Sequence, residues 1–575
     1  MKNNIYKIMK LTLLSVFLLS VFTACVDEMK FDFIERQDIP DSDEGATQLV
    51  IGTYSMLSDD MFRWNIFPTV LDFDCDYVTG PDWAFREFGA GNFQDVENVV
   101  AMWEKPYVII HRANAAIESI EKMQNVSERY RKNVYGELNF LKAYSYFLLV
   151  RSFGDVPIRK RSINETAERN VPRSPVKDVY AYIIELLKDG EDNMYKNTDA
   201  GFIEGRASSG AAAGMLAKVY ATMASAAMPS GEVKVKGGIP FQRIGDSKVY
   251  TDPQVQIFNK VQVSGYEDFD YKEYYKLAAQ KAKQVMDGEY GSYDLLPYNE
   301  LWKKENKNKT EHMFNLQAIS NDPTYGLPFS VGYAGIYTDQ GYIQNGLWYG
   351  MRDHWYKLFE SQDERIVTGV LHRWARIFDV NNVAKLGSFY PDTEEYRQKV
   401  REKVAPFDDG LNYVNNKDAA FLAYLTKYDD RTDKKIERSD ATWHFLRFAD
   451  VLLTYAEADA EANDEPTTAA LAALNRVRTR SKATEKSLTG TGAISNLVDF
   501  RSAVLEERAM EFALEGDRRW DLIRWGIYVD VMNNIGGTDE VGIHKLRTSK
   551  HTLFPIPITE MNTNSSIEQN NPGWN

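Results

Sequence analysis

Across residues 134–150 the chain carries apolar side chains on two helical stripes at once. Val134, Leu138, Leu141, Ser145 and Leu148 follow one, and Phe140, Tyr144, Phe147 and Val150 follow the other. A helix that is apolar over so much of its circumference must lie between other elements rather than at the surface. The chain has to supply those neighbours, and it does. Tyr107, Ile110, Asn114, Ile117 and Ile120 hold helical spacing upstream. Gly154 closes the central segment and Pro157 prevents it from resuming. Ser174-Pro175 reads as N-cap and first-turn proline of a helix running to about Lys188. Residues 208–226 form a helix rich in small residues, where Gly210, Ala213, Gly214 and Ala217 let neighbours approach closely. Further helices are predicted over 46–57, 271–287, 446–462, 467–480 and 497–514. Helix after helix predicts an all-α-dominated scaffold of helical hairpins, although no fixed repeat period is present.

Two stretches break this pattern. Residues 228–270 carry Gly, Pro and alternating Val/Lys, which suggests a loop with a small hairpin. Residues 318–440 are rich in Gly, Tyr, Trp and Asp and lack sustained helical periodicity. Loops of that length carry function or are disordered, and this aromatic content argues against disorder.

The N-terminus bears on location. Lys2, Lys7 and Lys10 precede an apolar run over 11–24 that ends Phe22-Thr23-Ala24-Cys25. A basic start, a short apolar core and a small-residue exit make a secretory signal, too short to span a membrane after maturation. Small residues before a cysteine resemble the lipobox of a bacterial lipoprotein signal, with Phe22 where Leu is usual. That resemblance implies that Cys25 becomes the acylated first residue of the mature chain. The expected organisation is a signal over 1–24, an acylated cysteine and acidic tether over 25–44, and a single domain over 45–575.

Removing 24 of the 575 residues leaves 551 and takes the net charge from −15 to −18. So acidic a chain lacks the basic footprint that nucleic acid demands, and anionic lipid would not hold it either. The acyl chains must anchor it: one chain binds marginally at ~0.8 kcal/mol per buried methylene, whereas several hold firmly. With Cys25 acylated, Cys75 has no intramolecular partner, and stability must come from packing.

Catalytic and metal motifs are sparse. The sequence has no phosphate-binding loop, zinc-protease motif or nucleophile elbow. Ser174-Pro175-Val176-Lys177 spells SxxK but lacks its companion motifs, and the seven histidines include no pair at metal-ligand spacing on one helix. Asp72, Asp74 and Asp76 imitate the start of a calcium loop, yet Tyr77 and Trp83 stand where an EF-hand needs Gly and Glu. With Phe73, Cys75 and Tyr77 between them, they read as an extended segment with one buried face. No metal and no cofactor are expected.

The segment 137–158, ELNFLKAYSYFLLVRSFGDVPI, resembles the signature helix and turn of the SusD/RagB family of Bacteroidetes lipoproteins. Trp103, Tyr107, Ala113 and Asn114 match a further family helix, and Gly205-Arg206 with the run to Tyr220 matches its small-residue helix. Later matches are Arg447–Leu453 with Tyr455–Ala458, then Asn475–Arg478. Glu507-Arg508, Glu511-Phe512, Glu515-Gly516, Arg518 and Asp521–Gly526 follow. The chain closes with Pro555-Ile556-Pro557, Glu560 and Gln569–Gly573. The resemblance implies a fold of four tetratricopeptide-like helix pairs with long loop-rich insertions and minor β structure. It also implies an outer-membrane, surface-facing lipoprotein that binds a nutrient, usually a glycan, and presents it to a SusC-like TonB-dependent transporter. A RagB-like peptide binder is the alternative within the family.

The other alternative is a surface glycoside hydrolase. Glu507, Glu511 and Glu515 share one helix face, and carboxylates one turn apart approach the roughly 5 Å separation of a retaining pair. Arg518 and Arg519 stand within reach of Glu515, so the cluster reads as a scaffold salt-bridge network instead, and no catalysis is expected.

A saccharide offers C–H faces and a hydroxyl rim, and calls for flat aromatic rings beside hydrogen-bonding side chains. Of eleven tryptophans, Trp103, Trp443, Trp520, Trp525 and Trp574 lie in scaffold motifs and read as core. Trp64 and Trp83 lie in the loop-like stretch 58–95, and Trp348 lies in the long insertion. The candidate ligand contacts are Trp83 with Asp82 and Arg86, then Trp64, Tyr325, Tyr333 and Trp348.

Overall fold

The doubly striped segment folds into the helix its spacing requires. The computed structural model describes residues 39–58, 70, 72–163, 168–245, 247–328, 330–376, 386–414 and 422–574; the leader, Cys25 and Trp64 lie outside them. The principal helices are α1 (Asp43–Tyr54), α2 (Asp82–Ala90), α3 (Glu97–Ile120), α4 (Glu128–Phe153), α5 (Val176–Asn193) and α6 (Ser209–Ala227). After these come α7 (Tyr271–Met286), α8 (Phe448–Asn463), α9 (Thr468–Arg480), α10 (Leu497–Glu511) and α11 (Arg518–Arg524). Every residue of α4 from Phe140 to Phe153 is buried, because α3 packs on one flank and α5 on another.

Packing continues in chain order: α5 on α6, α6 on α7, α7 on α8, α8 on α9. Since α7 ends at Met286 and α8 begins at Phe448, the chain leaves this helical stack after α7 and returns to it at α8. Close approach at α6 depends on glycine. A Cβ on Gly210 would fall 2.4 Å from the Tyr293 ring, whose hydroxyl meets Ser208 at 2.6 Å. The start of α5 differs from expectation. Ser174 does not cap it but exchanges backbone hydrogen bonds with Val156, and the Asp155 carboxylate accepts the Val176 N–H at 2.9 Å.

The strands are short. Strand β1 (Val78–Thr79) pairs antiparallel with β9 (Gly350–Arg352), which also pairs with β13 (Leu422–Ala423). In the expected hairpin region, β2 (Glu232–Gly237) pairs with β5 (Gln254–Asn259), and nested beyond it β3 (Phe241–Ile244) pairs with β4 (Ser247–Tyr250). Strand β6 (His312–Leu316) pairs with β14 (Trp443–Arg447) beside the core. Five strands of the insertion lie in the order β12 (Asn412–Val414), β11 (Leu386–Phe389), β10 (Arg373–Arg376), β8 (Ile343–Asn345), β7 (Ile336–Tyr337).

Both faces of the segment 72–77 are buried, which corrects the expectation of one buried face. Phe73, Cys75 and Tyr77 face the apolar core, and Asp72, Asp74 and Asp76 are 2%, 0% and 4% exposed. Polar groups from the far end of the chain meet all three carboxylates. Arg518 grips Asp76 with two hydrogen bonds of 2.8 and 2.7 Å. Arg519 and Arg547 reach Asp74 at 2.8 and 2.9 Å, with the Tyr528 hydroxyl at 2.6 Å. The Gly516 N–H donates to Asp72 at 2.8 Å. Burial also pushes the Cys75 thiol up to about 12, so this buried cysteine stays an inert thiol.

The expected pairing of Arg518 and Arg519 with Glu515 is therefore corrected. Glu515 meets Arg447 at 2.8 Å and Lys427 at 2.5 Å. Glu507 meets Arg365 and Arg478 at 2.6 and 2.7 Å. Glu511 accepts from Arg447 at 2.6 Å and from Arg365 at 3.2 Å. Charges this deeply buried contribute little net stability when matched, but removing one partner strands the other.

Burial alone would raise the Asp74 carboxyl, but Arg547, Arg519 and the Tyr528 hydroxyl outweigh it and hold the group at about 2. Asp74→Asn should cost about 3–5 kcal/mol at neutral pH, because it leaves two buried guanidiniums without their anion. A depressed carboxyl contributes fully above its ordinary value of 3.8 and loses that contribution as pH falls toward 2. Urea unfolding at pH 7 and pH 3 checks this: the gap between wild type and Asp74→Asn should be smaller at pH 3.

Candidate functional site

Trp83 stands on the outer side of α2 and is 65% exposed. The helix can present it because its other side is fixed. Phe85 packs edge-on against Phe73 with centroids 3.8 Å apart and meets Tyr349 at 5.3 Å, and Phe88 lies 5.5 Å from Phe93. Gly91 ends α2 in the left-handed conformation at φ 72°, as a helix C-terminus favours. Just before it, Arg547 donates to the carbonyls of Phe88 and Gly89 at 2.7 and 3.0 Å. That places a cation on the carbonyls a helix end leaves unpaired.

Trp348 arrives from the insertion, 265 positions later, and the β1–β9 register explains how. Thr79 lies opposite Gly350 and Val78 opposite Met351. Read two steps beyond the ladder, this antiparallel register sets Trp348 beside the entry to α2. The backbone approach is tight: a Cβ on Gly80 would fall 2.2 Å from the Phe85 ring and 3.0 Å from the Trp348 carbonyl. On the other side, the Trp348 and Tyr349 N–H groups both donate to the Gly332 carbonyl, at 2.6 and 3.0 Å. The turn into Trp348 uses two left-handed residues, Gly346 at φ 79° and Leu347 at φ 55°. Leucine there costs roughly 1–2 kcal/mol. Arg376 steadies the turn by donating to the Gly346 and Leu347 carbonyls at 3.1 and 2.8 Å.

The two indoles meet edge to face, with centroids 4.9 Å apart and ring planes at 87°. They make a corner of two aromatic walls at the protein surface. Asp82, exposed at the first position of α2, adds a carboxylate next to Trp83. Arg86 belongs to the same helix. A C–H face of a ring-shaped ligand can pack on such indoles while its hydroxyls reach polar side chains.

The remaining candidates separate from this pair. Tyr333 is fully buried and donates its hydroxyl to Asp72 at 3.2 Å, so it is a core residue, a correction to its reading as a ligand contact. Its neighbours are Tyr428 and Trp443, with centroids at 5.1 and 6.3 Å. Tyr325 is 39% exposed but belongs to a turn of its own, where its N–H donates to Asp322 at 2.7 Å. Trp64 lies outside the described residues. Trp103, Trp443, Trp520, Trp525 and Trp574 are all buried, as expected of core. Glu507, Glu511 and Glu515 are buried and matched to cations, so none of them offers solvent a free carboxylate. Sequence reasoning missed the supporting residues Gly80, Phe85, Tyr349 and Arg376, whose roles follow from a strand register that local pattern does not reveal.

The SusD family model matches residues 301–574, and the family described as "Starch-binding associating with outer membrane" matches residues 42–221. SusD-like protein P2 of Formosa agariphila is 23% identical over 485 residues, covering 83% of this chain and 81% of that protein. Among solved structures, a SusD homolog from Bacteroides thetaiotaomicron superposes with a TM-score of 0.71 at 23% identity. That superposition covers 94% of this chain and 99% of the other. Surface glycan-binding protein A from Bacteroides fluxus gives a TM-score of 0.65 at 18% identity, over 92% and 99%. At such identities the structural likeness speaks for the fold alone, and the helical stack with minor sheets is the fold they share.

Exposure separates the two classes of tryptophan in a measurable way. Trp83→Ala should shift unfolding free energy by no more than about 0.5 kcal/mol. Trp103→Ala should cost about 3–5 kcal/mol, since that ring is 2% exposed and packs edge-on against Phe153. Chemical denaturation of the two variants beside wild type provides the comparison.

Proposed function

We propose, from the premise that this chain belongs to the SusD/RagB family, that it captures oligosaccharide at the Trp83–Trp348 corner and delivers it to a SusC-like TonB-dependent transporter. The protein is a lipoprotein held in the outer membrane through Cys25 and facing the cell exterior, and it performs no chemistry on its ligand. The observation that carries this reading is the edge-to-face pair of indoles, one from helix α2 and one from the distant insertion, backed by the packed rings of Phe73, Phe85 and Tyr349. A scaffold gains little from holding a largely exposed tryptophan there, whereas a saccharide-binding surface needs one. The family description naming starch binding and outer-membrane association supports the location and ligand class. The name of the Bacteroides fluxus protein, a surface glycan-binding protein, points the same way. Asp27 and Glu28, two and three positions after Cys25, resemble the export signal of surface lipoproteins in this phylum.

A delivery protein must release what it binds, so affinity should be modest, with Kd between about 1 mM and 1 μM. A glycan and peptide array probed with residues 26–575 identifies the ligand, and calorimetry then compares variants. Trp83→Ala should weaken binding of that ligand about tenfold, the worth of about 1.4 kcal/mol of lost stacking. Unchanged affinity in a normally melting Trp83→Ala protein would remove the corner from the reading. Capture of peptides alone would favour a peptide binder.

Anchoring has its own check. Cys25→Ser should leave an unacylated protein that fractionates away from membranes in cells lacking the transporter. Persistence in the membrane fraction would show that something other than acylation holds the protein.

A further inference from the structure

A cleft of about 310 Å³ opens against the five-stranded sheet, apart from the tryptophan corner. Tyr337, Tyr342 and Trp374, all half-buried, line it. Tyr337 and Tyr342 flank a turn closed by hydrogen bonds from the Thr338 N–H to the Tyr342 carbonyl at 2.8 Å and from the Gly341 N–H to the Thr338 carbonyl at 3.0 Å. Trp374 is braced edge-on by Tyr424, with centroids 5.3 Å apart. The turn and the ring contact thus place the three aromatic side chains around one cleft.

A polar cluster shares the cleft. Tyr413 donates its hydroxyl to Asp409 at 2.6 Å and accepts from Arg373 at 2.9 Å, while Arg373 also pairs with Asp409. Among the described contacts, Arg373 uses only one terminal nitrogen, so Nε and the second terminal nitrogen keep their donors. Arg373 and Asp409 are the charged residues of the cleft's lining and their charges offset each other, so the lining itself favours neither an anion nor a cation. Braced aromatic rings, oriented donors and acceptors, and local neutrality together suit an uncharged polyhydroxylated ring. The volume sits at the small end of ligand pockets, which run from about 300 to 1,000 Å³, and so fits a chain end rather than a long chain.

We propose that this cleft is a second binding site, for the end of a neutral saccharide, distinct from the Trp83–Trp348 corner. It rests on the reading of the protein as a glycan binder but uses none of the corner's residues. The two share one support: Trp374 lies two positions before Arg376 on β10, and Arg376 holds the turn that leads into Trp348.

Hydrogen-exchange mass spectrometry on the detergent-solubilised mature protein tests this. The probes are maltoheptaose, laminarihexaose, cellohexaose and mannohexaose, with hexagalacturonic acid as the charged comparison. At least one neutral probe should slow exchange in 337–342 and 373–376. That protection should persist in a Trp83→Ala/Trp348→Ala double variant. Arg373→Ala should weaken it about tenfold, as loss of a charged hydrogen-bond donor does. If Arg373→Ala melts abnormally, Asp409→Asn, which keeps the shape and removes the charge, takes its place. Absence of protection for every neutral probe overturns the proposal, as does protection that vanishes with the corner tryptophans or that only hexagalacturonic acid produces. Segments 82–88 and 346–350 report the corner separately, so its failure would show there while leaving the cleft signal intact.

Discussion

The contact of Asp74 and Asp76 with the C-terminal arginines, joined by the Gly516 N–H on Asp72, is the constraint on which the exposed surface depends. Asp76 and Asp74 find Arg518, Arg519 and Arg547 442 to 473 positions away. Arg547 then does a second task by holding the C-terminal carbonyls of α2. Lys545 extends the same clamp, donating to the Val78 carbonyl at 2.8 Å and to that of Cys75 at 3.1 Å. A segment of few residues, with only two in a strand, would not hold its place by backbone pairing alone. Buried ion pairs add little net stability, but they tolerate only one arrangement, because any other strands a charge in a dry interior. Here the arrangement they enforce is the one that points Trp83 at solvent.

This division of labour has a physical logic. The stack from α3 to α9 buries its apolar faces helix against helix and needs no disulfide. The exposed tryptophan corner is assembled from excursions out of that stack, 72–91 at one end of the chain and the long insertion between α7 and α8. Changing an exposed ring there leaves the stack untouched, whereas changing a ring inside it does not. Leu347 in a left-handed conformation shows that the surface is also held under some tension, offset by Arg376 and the Gly332 carbonyl.

Charge is partitioned in the same spirit. The chain is strongly acidic in total, yet its interior pairs glutamates and arginines closely, and the acidic signature motifs near the C-terminus are consumed in that pairing. Glu511 illustrates this: burial would raise its carboxyl, but Arg480, Arg447 and Arg365 together hold it well below the ordinary range. Glu507, Glu511 and Glu515, the residues that look most like paired catalytic acids in the sequence, are buried and matched to cations, so they belong to the scaffold.

How much of this was legible in the chain itself depends on the range of the interaction. Helical periodicity is local, so α4, the small-residue helix α6 and the later helices stand where their spacing puts them, with ends shifted by a few residues where Asp155 rather than Ser174 supplies a cap. The core tryptophans were also readable, because they sit within those helices or their motifs. Trp83 and Trp348 could each be singled out as aromatic residues in loop-like stretches, but not as a pair, since the register of β1 with β9 joins residues 271 and 273 positions apart. Tyr333 looked the same in sequence and is buried, because exposure in a loop is decided by what the loop packs against. The partners of Asp74, Asp76 and Glu515 were likewise beyond local reading: spacing shows which charges can share a helix face, and only the tertiary fold decides which opposite charge arrives to meet them.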